Sequence, residues 1–216
     1  MSPRKAPLST TFAALIILSA ACCLLWPDGI TALFALSPHT VATHPYALFS
    51  YAFIHAGLLH TLVNAAAIYL CGSMTEPLFG ARRTALLYLA STIAAGLTFC
   101  MAMRIAARPD AILSGASAPA FAAMMCLCVS RRMVLTALAL AALSFAGLFG
   151  PNPGGAIAHI TGVAAGFIAA ILYHKHTLSR INAREAALTQ IRNKIRISGF
   201  DSLSPAERAT LSSDRK

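Results

Sequence analysis

Between Ile112 and Phe121 the chain carries a small-residue turn that leads straight into an apolar run, and that run stops at Arg131 and Arg132. Ser117 stands where the helix begins. A serine hydroxyl beside a histidine can act as a nucleophile, because the imidazole removes its proton as the bond forms. The oxyanion then needs donors, which the backbone N–H groups of Ser117 and Ala118, with His60 and Asn64, can supply. His159 is the histidine placed to serve as base. No acidic residue is placed to orient it: Asp28 and Asp110 belong to loops, Glu76 lies near the opposite surface, and Glu185, Asp201, Glu207 and Asp214 are in the tail. The constellation is therefore a Ser-His dyad and not a triad. Phe121, one turn after Ser117, can stack on the imidazole and supply part of the missing orientation.

These residues must be held by membrane helices. The chain has 216 residues, 57% hydrophobic and 11% charged, which excludes an ordinary soluble domain. Apolar runs at about 8–26, 57–74, 84–103, 117–130, 133–149 and 156–173 predict an all-α polytopic membrane protein of six transmembrane helices with a short fourth helix. The fourth, from Ser117 to Ser130, is roughly 21 Å long at ~1.5 Å per residue against a hydrocarbon core of ~30 Å, so it cannot cross. Its N-terminus lies below the surface, where unpaired backbone is tolerated only in protein or beside water.

The depths agree. Ser117 is roughly 21 Å above Arg131, His159 roughly 24 Å above Lys175, and His60 roughly 24 Å above Glu76. Asn64 shares a face with His60 at i, i+4. His159, Gly162 and Gly166 share a face of the sixth helix, and Ala116, Ala120 and Ala123 are expected to present the matching small face of the fourth.

Charge sets topology. Of the 17 Lys and Arg residues, only Arg104 and Arg108 fall on the outer side of the alternating loops. Both termini are therefore expected in the cytoplasm, and the basic excess of +10 reports membrane orientation and no nucleic-acid partner. Residues 1–173 form the membrane domain and residues 174–216 a basic cytoplasmic tail, in which Ser204 to Glu207 reads as a capping box opening a short last helix. Met1 to Ala21 could pass for a signal peptide, but the apolar run continues to Trp26 and predicts an uncleaved first span. The half-apolar first outer loop, Pro27 to Ala56, is expected in the membrane interface. Pro151 to Gly155 is a turn into the sixth helix. The six cysteines lie inside apolar runs as small hydrophobes, and neither a metal nor a cofactor is expected.

Each residue taken alone has a plainer reading. Ser117 is then a helix N-cap, His60 and Asn64 are interhelical hydrogen-bonding groups, and Gly162 and Gly166 are packing glycines. Their joint occurrence at one depth favours chemistry.

Over most of residues 46–173 the sequence resembles the rhomboid intramembrane serine proteases. The resemblance rests on Phe53 to Gly57 with His60 and Asn64, then Gly72, Glu76 and Gly80 to Arg83, then Gly115-Ala116-Ser117, and finally Ala158-His159 with Gly162 and Gly166. It implies Ser117 as nucleophile, His159 as general base, and His60 and Asn64 as oxyanion stabilisers. Substrates would be single-span membrane proteins cut in or near their membrane segment, at the bacterial inner membrane. The sequence departs from the family pattern at Ala118, where glycine is usual, and at Tyr46-Ala47, where a Trp-Arg pair is common. A pseudoprotease that binds client membrane helices is the alternative, and a small transporter is a weaker one, since no inverted repeat is visible.

Overall fold

The structure, a computed structural model, describes residues 6–150 and 152–212. Arg4 and Lys5, placed by the sequence on the inner side, and Pro151 of the expected turn lie outside the described residues. The helices are α1 Pro7–Leu25, α2 Pro27–Phe34, α3 Ala47–Ser50, α4 Leu58–Phe79, α5 Ala81–Ile105, α6 Ser117–Ser130, α7 Val134–Ala146, α8 Pro153–Ser198 and α9 Pro205–Ser212. Four of them, α1, α4, α5 and α8, are long and apolar enough to cross a membrane, while α6 and α7 are shorter. The six apolar runs correspond to α1, α4, α5, α6, α7 and α8. The chain divides into two compact units, Met1–Ile171 and Leu172–Lys216.

In the first unit α6 is the buried centre. Ten of its 14 residues, from Ser117 to Cys128, are buried, as expected of a helix that is apolar on every side. Helices α4 and α5 both pack against it, and α1 packs on the outside of α4. Between α4 and α5 the chain turns on one residue. Gly80 adopts φ 82° and is at once the last cap of α4 and the first of α5, a backbone state that favours glycine.

The polar groups near this end of α4 fasten α1. Pro7 opens α1 without a cap of its own, and the Glu76 carboxylate of α4 takes that role. It accepts from the N–H of Leu8 at 3.2 Å, the N–H of Ser9 at 2.9 Å and the Ser9 hydroxyl at 2.9 Å. The positive end of the helix dipole favours a carboxylate there. The Ser9 and Tyr88 hydroxyls lie 3.1 Å apart and continue the network. Gly72 leaves the space for it, since a methyl on Gly72 would fall on the Tyr88 hydroxyl and within 2.6 Å of Ser9 Cβ.

Two helices end elsewhere than the hydropathy suggests. The fifth apolar run is helical only to Ala146 and passes into a tight 3-10 turn, Gly147–Phe149. Glycines at 147 and 150 weaken the last turn, and a methyl on Gly147 would come within 3.0 Å of Ala156 Cβ. The sixth run does not stop at Tyr173. Neither glycine nor proline occurs from Phe167 to Ser198, so α8 continues for 46 residues. It ends at Gly199, which has φ 82°. In the first outer loop, α2 and α3 are short helices, and Leu36 forms one antiparallel bridge with Leu113.

The second unit has a small core of its own, with Leu188, Ile191 and Leu203 buried. The expected capping box forms: Ser204 N–H donates to Glu207 Oε2 at 2.6 Å, and Glu207 N–H donates to Ser204 Oγ at 3.2 Å. Lys194 Nζ donates to the same carboxylate at 2.9 Å. With the Ser204 amide it pulls the half-buried Glu207 carboxyl down to about 2.

Removing the carboxylate that caps α1 leaves the N–H groups of Leu8 and Ser9 without their acceptor and the Ser9 hydroxyl with Tyr88 alone. Glu76→Ala is expected to destabilise the protein by on the order of 2–4 kcal/mol, read as a lower thermal unfolding midpoint in detergent. Gly72→Ala should lower it as well, and wild-type stability in both variants would dismiss the network as structural.

Candidate active site

The turn that carries Ser117 is anchored residue by residue. Leu113 exchanges both backbone hydrogen bonds with Leu36, at 2.8 and 3.0 Å. Gly115 N–H donates to the Tyr51 carbonyl at 2.9 Å, and Tyr51 is itself tied through its hydroxyl to the Thr92 carbonyl at 2.8 Å. Ala116 N–H donates to His55 Nε2 at 3.2 Å. As an acceptor, that nitrogen carries no proton, so the other ring nitrogen, 3.3 Å from the Phe53 carbonyl, is the one that donates. Gly115 has φ 110°, and a methyl there would come within 2.8 Å of the His60 ring. The turn thus needs glycine twice over, for its backbone and for the space.

Ser117 is the first residue of α6, and Ala116, not Ser117, is the N-cap. The plainer reading of the serine therefore fails. Its hydroxyl makes no capping bond and, among the described residues, no hydrogen bond at all. The N–H groups of Ser117 and Ala118 also have no hydrogen-bond partner among the described residues. Pro119 has no N–H to satisfy.

Helix α8 brings His159 to this turn through direct backbone contact. A methyl on Gly162 would fall on the Ala118 carbonyl oxygen, and one on Gly166 on that of Ala122. The small face of α6 that meets α8 is therefore Ala118 and Ala122. Ala116, Ala120 and Ala123 instead pack with Ala13, Ile16, Ala65 and Ile68, towards α1 and α4. Sequence spacing identified a small face but chose the wrong one, because nearly every position on this helix is small. Thr98 of α5 and Thr161 of α8 add a hydroxyl pair at 2.9 Å.

The imidazole of His159 lies flat on Phe121, with ring centroids 4.3 Å apart and planes inclined by 5°. The expected stack is present. Ser117, His159 and His60 line one cavity of about 240 Å³, together with Ser114, Gly147 and Asn152. Ser117 and His159 make no hydrogen bond to each other. Asn64 is buried but does not line the cavity, and its amide donates to the His60 carbonyl at 2.9 Å. Among the described residues no group of His, Cys, Asp or Glu is arranged to hold a metal.

Sequence reading assigned no role to His55, Ser114 or Asn152. Asn152 precedes His159 by seven residues and so shares its face, and its Oδ1 accepts from Gly155 N–H at 3.0 Å in the first turn of α8. That spacing was the available signal. Nothing local marks His55 as the partner of Ala116, because the contact joins residues far apart in the chain.

Residues 42–176 match the family model of the rhomboid domain. The chain belongs to the rhomboid family. No curated protein matches it in sequence. As a rhomboid it is a multi-pass membrane protein of a family whose members are generally intramembrane serine proteases, and the matched segment contains the whole turn, cavity and helix contact described above.

Burial, with the neighbouring His60, holds His55 down to about 4, against the opposing pull of the Phe53 carbonyl. A lowered folded value means full stability above the unfolded value of ~6.5, and loss as pH falls from there through 4. The unfolding midpoint should drop between pH 7.5 and 4.5. The drop should be smaller in His55→Gln, whose amide oxygen can accept from Ala116 without titrating. Equal drops in both proteins would show that His55 is not the sensor.

Proposed function

We propose that this rhomboid is an intramembrane serine endopeptidase, with Ser117 as nucleophile and His159 as general base. The observation that carries the reading is a serine hydroxyl with no hydrogen bond of its own, opening with a histidine onto one cavity inside a membrane protein. A hydroxyl serving merely as a helix cap would accept from a first-turn N–H.

The chemistry follows from the placement. Ser117 Oγ attacks the scissile carbonyl carbon while His159 takes its proton, and the tetrahedral oxyanion forms at the positive end of α6. There the unpaired N–H groups of Ser117 and Ala118 are donors already oriented by the helix. His60 reaches the same cavity and adds a third. Asn64 acts on the oxyanion only if its amide leaves the His60 carbonyl, so its contribution is smaller or indirect through His60. His159 then returns the proton to the leaving amine, and water reverses the sequence to release the acyl group. With no carboxylate behind it, the imidazole is oriented by Phe121. The dyad hydrogen bond is unmade without substrate, and such bonds commonly tighten only in the complex.

Substrates of this reading are single-span membrane proteins, because the cavity is reached within the depth of the bilayer. In this reading the protein sits in a bacterial inner membrane; the bias of Lys and Arg supports both termini in the cytoplasm and the cavity towards the opposite surface. The unmade Ser117 to His159 hydrogen bond favours a second reading, a pseudoprotease that retains client helices without cutting them.

Wild-type protein in membranes should cleave a model single-span substrate and react with a serine-directed fluorophosphonate. Ser117→Ala should abolish both, and His159→Ala should reduce labelling to background. Ala118→Gly should change the rate by less than tenfold, that is, under about 1.4 kcal/mol in the barrier. An inert wild type that gains activity from Ala118→Gly would establish the pseudoprotease instead. Reporters fused after Lys216 and within the first outer loop should report opposite sides of the membrane, cytoplasmic for the first. The reverse result would place Ser117 near the cytoplasmic surface and overturn the topology.

A further inference from the structure

The catalytic cavity is not the largest space in the membrane unit. A groove of about 690 Å³ opens between α6, α7 and α8, walled by Val129, Val134, Leu138, Phe145, Val163 and Phe167 among others. Its lining offers almost nothing polar. The Ser144 hydroxyl donates to the Leu140 carbonyl of its own helix at 2.8 Å. The other polar group is Arg132, at one end.

Length and charge together define the occupant. The groove follows α7 from Val134 to Phe145, roughly 16 Å at ~1.5 Å per residue. Half of a hydrocarbon core of ~30 Å is ~15 Å, so the groove is one leaflet deep. A spanning peptide helix, twice that length and about 10 Å across, does not match it. At the surface end the chain turns through Arg131 and Arg132, the latter with φ 57°. Both are exposed, and neither makes an ion pair among the described residues. An apolar slot one leaflet deep, with the unneutralised Arg132 at its end and Arg131 beside it in the chain, has the shape and charge of a phospholipid with an anionic headgroup.

We propose that this groove holds one anionic phospholipid, with an acyl chain between α7 and α8 and its phosphate on Arg132. The lipid fills the space between these helices. Helix α7 ends directly before Gly147, the first residue of the 3-10 turn, which lines the catalytic cavity. Occupancy of the groove therefore sets the position of one wall of that cavity.

The test uses the full chain carrying Ser117→Ala, so that proteolysis plays no part. It is placed in phosphatidylcholine nanodiscs doped with phosphatidylglycerol bearing a photoreactive acyl chain, and the labelled peptides are identified by mass spectrometry. Labelling should concentrate on residues 134–145 and 160–167. Arg132→Gln, at an exposed turn, should reduce labelling at both segments at least threefold, while labelling of α1 stays unchanged as an internal control. Ala164→Phe, which fills the groove, should abolish it. Labelling spread evenly around the membrane belt would overturn the proposal, as would equal labelling by a photoreactive phosphatidylcholine that is indifferent to Arg132→Gln.

Discussion

At Gly162 and Gly166 the backbone of α8 rests on the carbonyl groups of Ala118 and Ala122 with no side chain between them, and the positions of the candidate catalytic residues follow from that contact. In lipid there is no hydrophobic gain from pairing two apolar helices, so close backbone packing has to supply the association. Ser117 immediately precedes one contact residue, and His159 lies three residues before the other. The contact register therefore decides whether the two side chains share a cavity. A shift of one turn along α8 would carry His159 about 5.4 Å away from Ser117 and off the Phe121 ring.

The same region separates groups that are satisfied from groups that are not. Leu113, Gly115 and Ala116 each give their N–H to a specific acceptor on a distant segment. Immediately afterwards, Ser117 and Ala118 give theirs to none, and the serine hydroxyl is equally free. At an ordinary helix terminus a capping side chain takes up such first-turn donors, and the N-cap Ala116 offers none. Here the turn is fixed tightly up to the point where the donors become available, and the Glu76 network and the Thr98 to Thr161 pair brace the surrounding helices. Stability sacrificed locally and recovered in the scaffold is the usual arrangement of a functional site.

Much of this arrangement is legible in the sequence. The short central helix follows from counting residues between Ser117 and Arg131, the capping box at Ser204 from residue type and spacing, and the Phe121 stack from its one-turn offset. All of these are local in the chain. What could not be read depends on rotation or on distant partners. Which face of α6 meets α8 is undetermined when alanines occupy nearly every position. The role of His55 depends on Ala116, and the Glu76 carboxylate finds its donors at the start of α1. Hydropathy falls beyond Tyr173, yet α8 continues to Ser198, because helix propagation depends on the absence of glycine and proline and not on hydropathy.

Ala118 shows how a departure from a family pattern can be weighed physically. Where the residue after the nucleophile is glycine, the obvious concern about a methyl is that it would hold α8 away from α6. The contact, however, is made by the Ala118 backbone, whose carbonyl carbon and Cα both lie 3.1 Å from the point where a Gly162 methyl would stand. The Ala118 side chain belongs to a fully buried apolar cluster with Leu36, Tyr51, Phe99 and Ala158. The steric demand at this crossing therefore falls on Gly162, which tolerates no side chain. At position 118 the surroundings accept a methyl and gain a small apolar burial, of order 0.8 kcal/mol per carbon, in return.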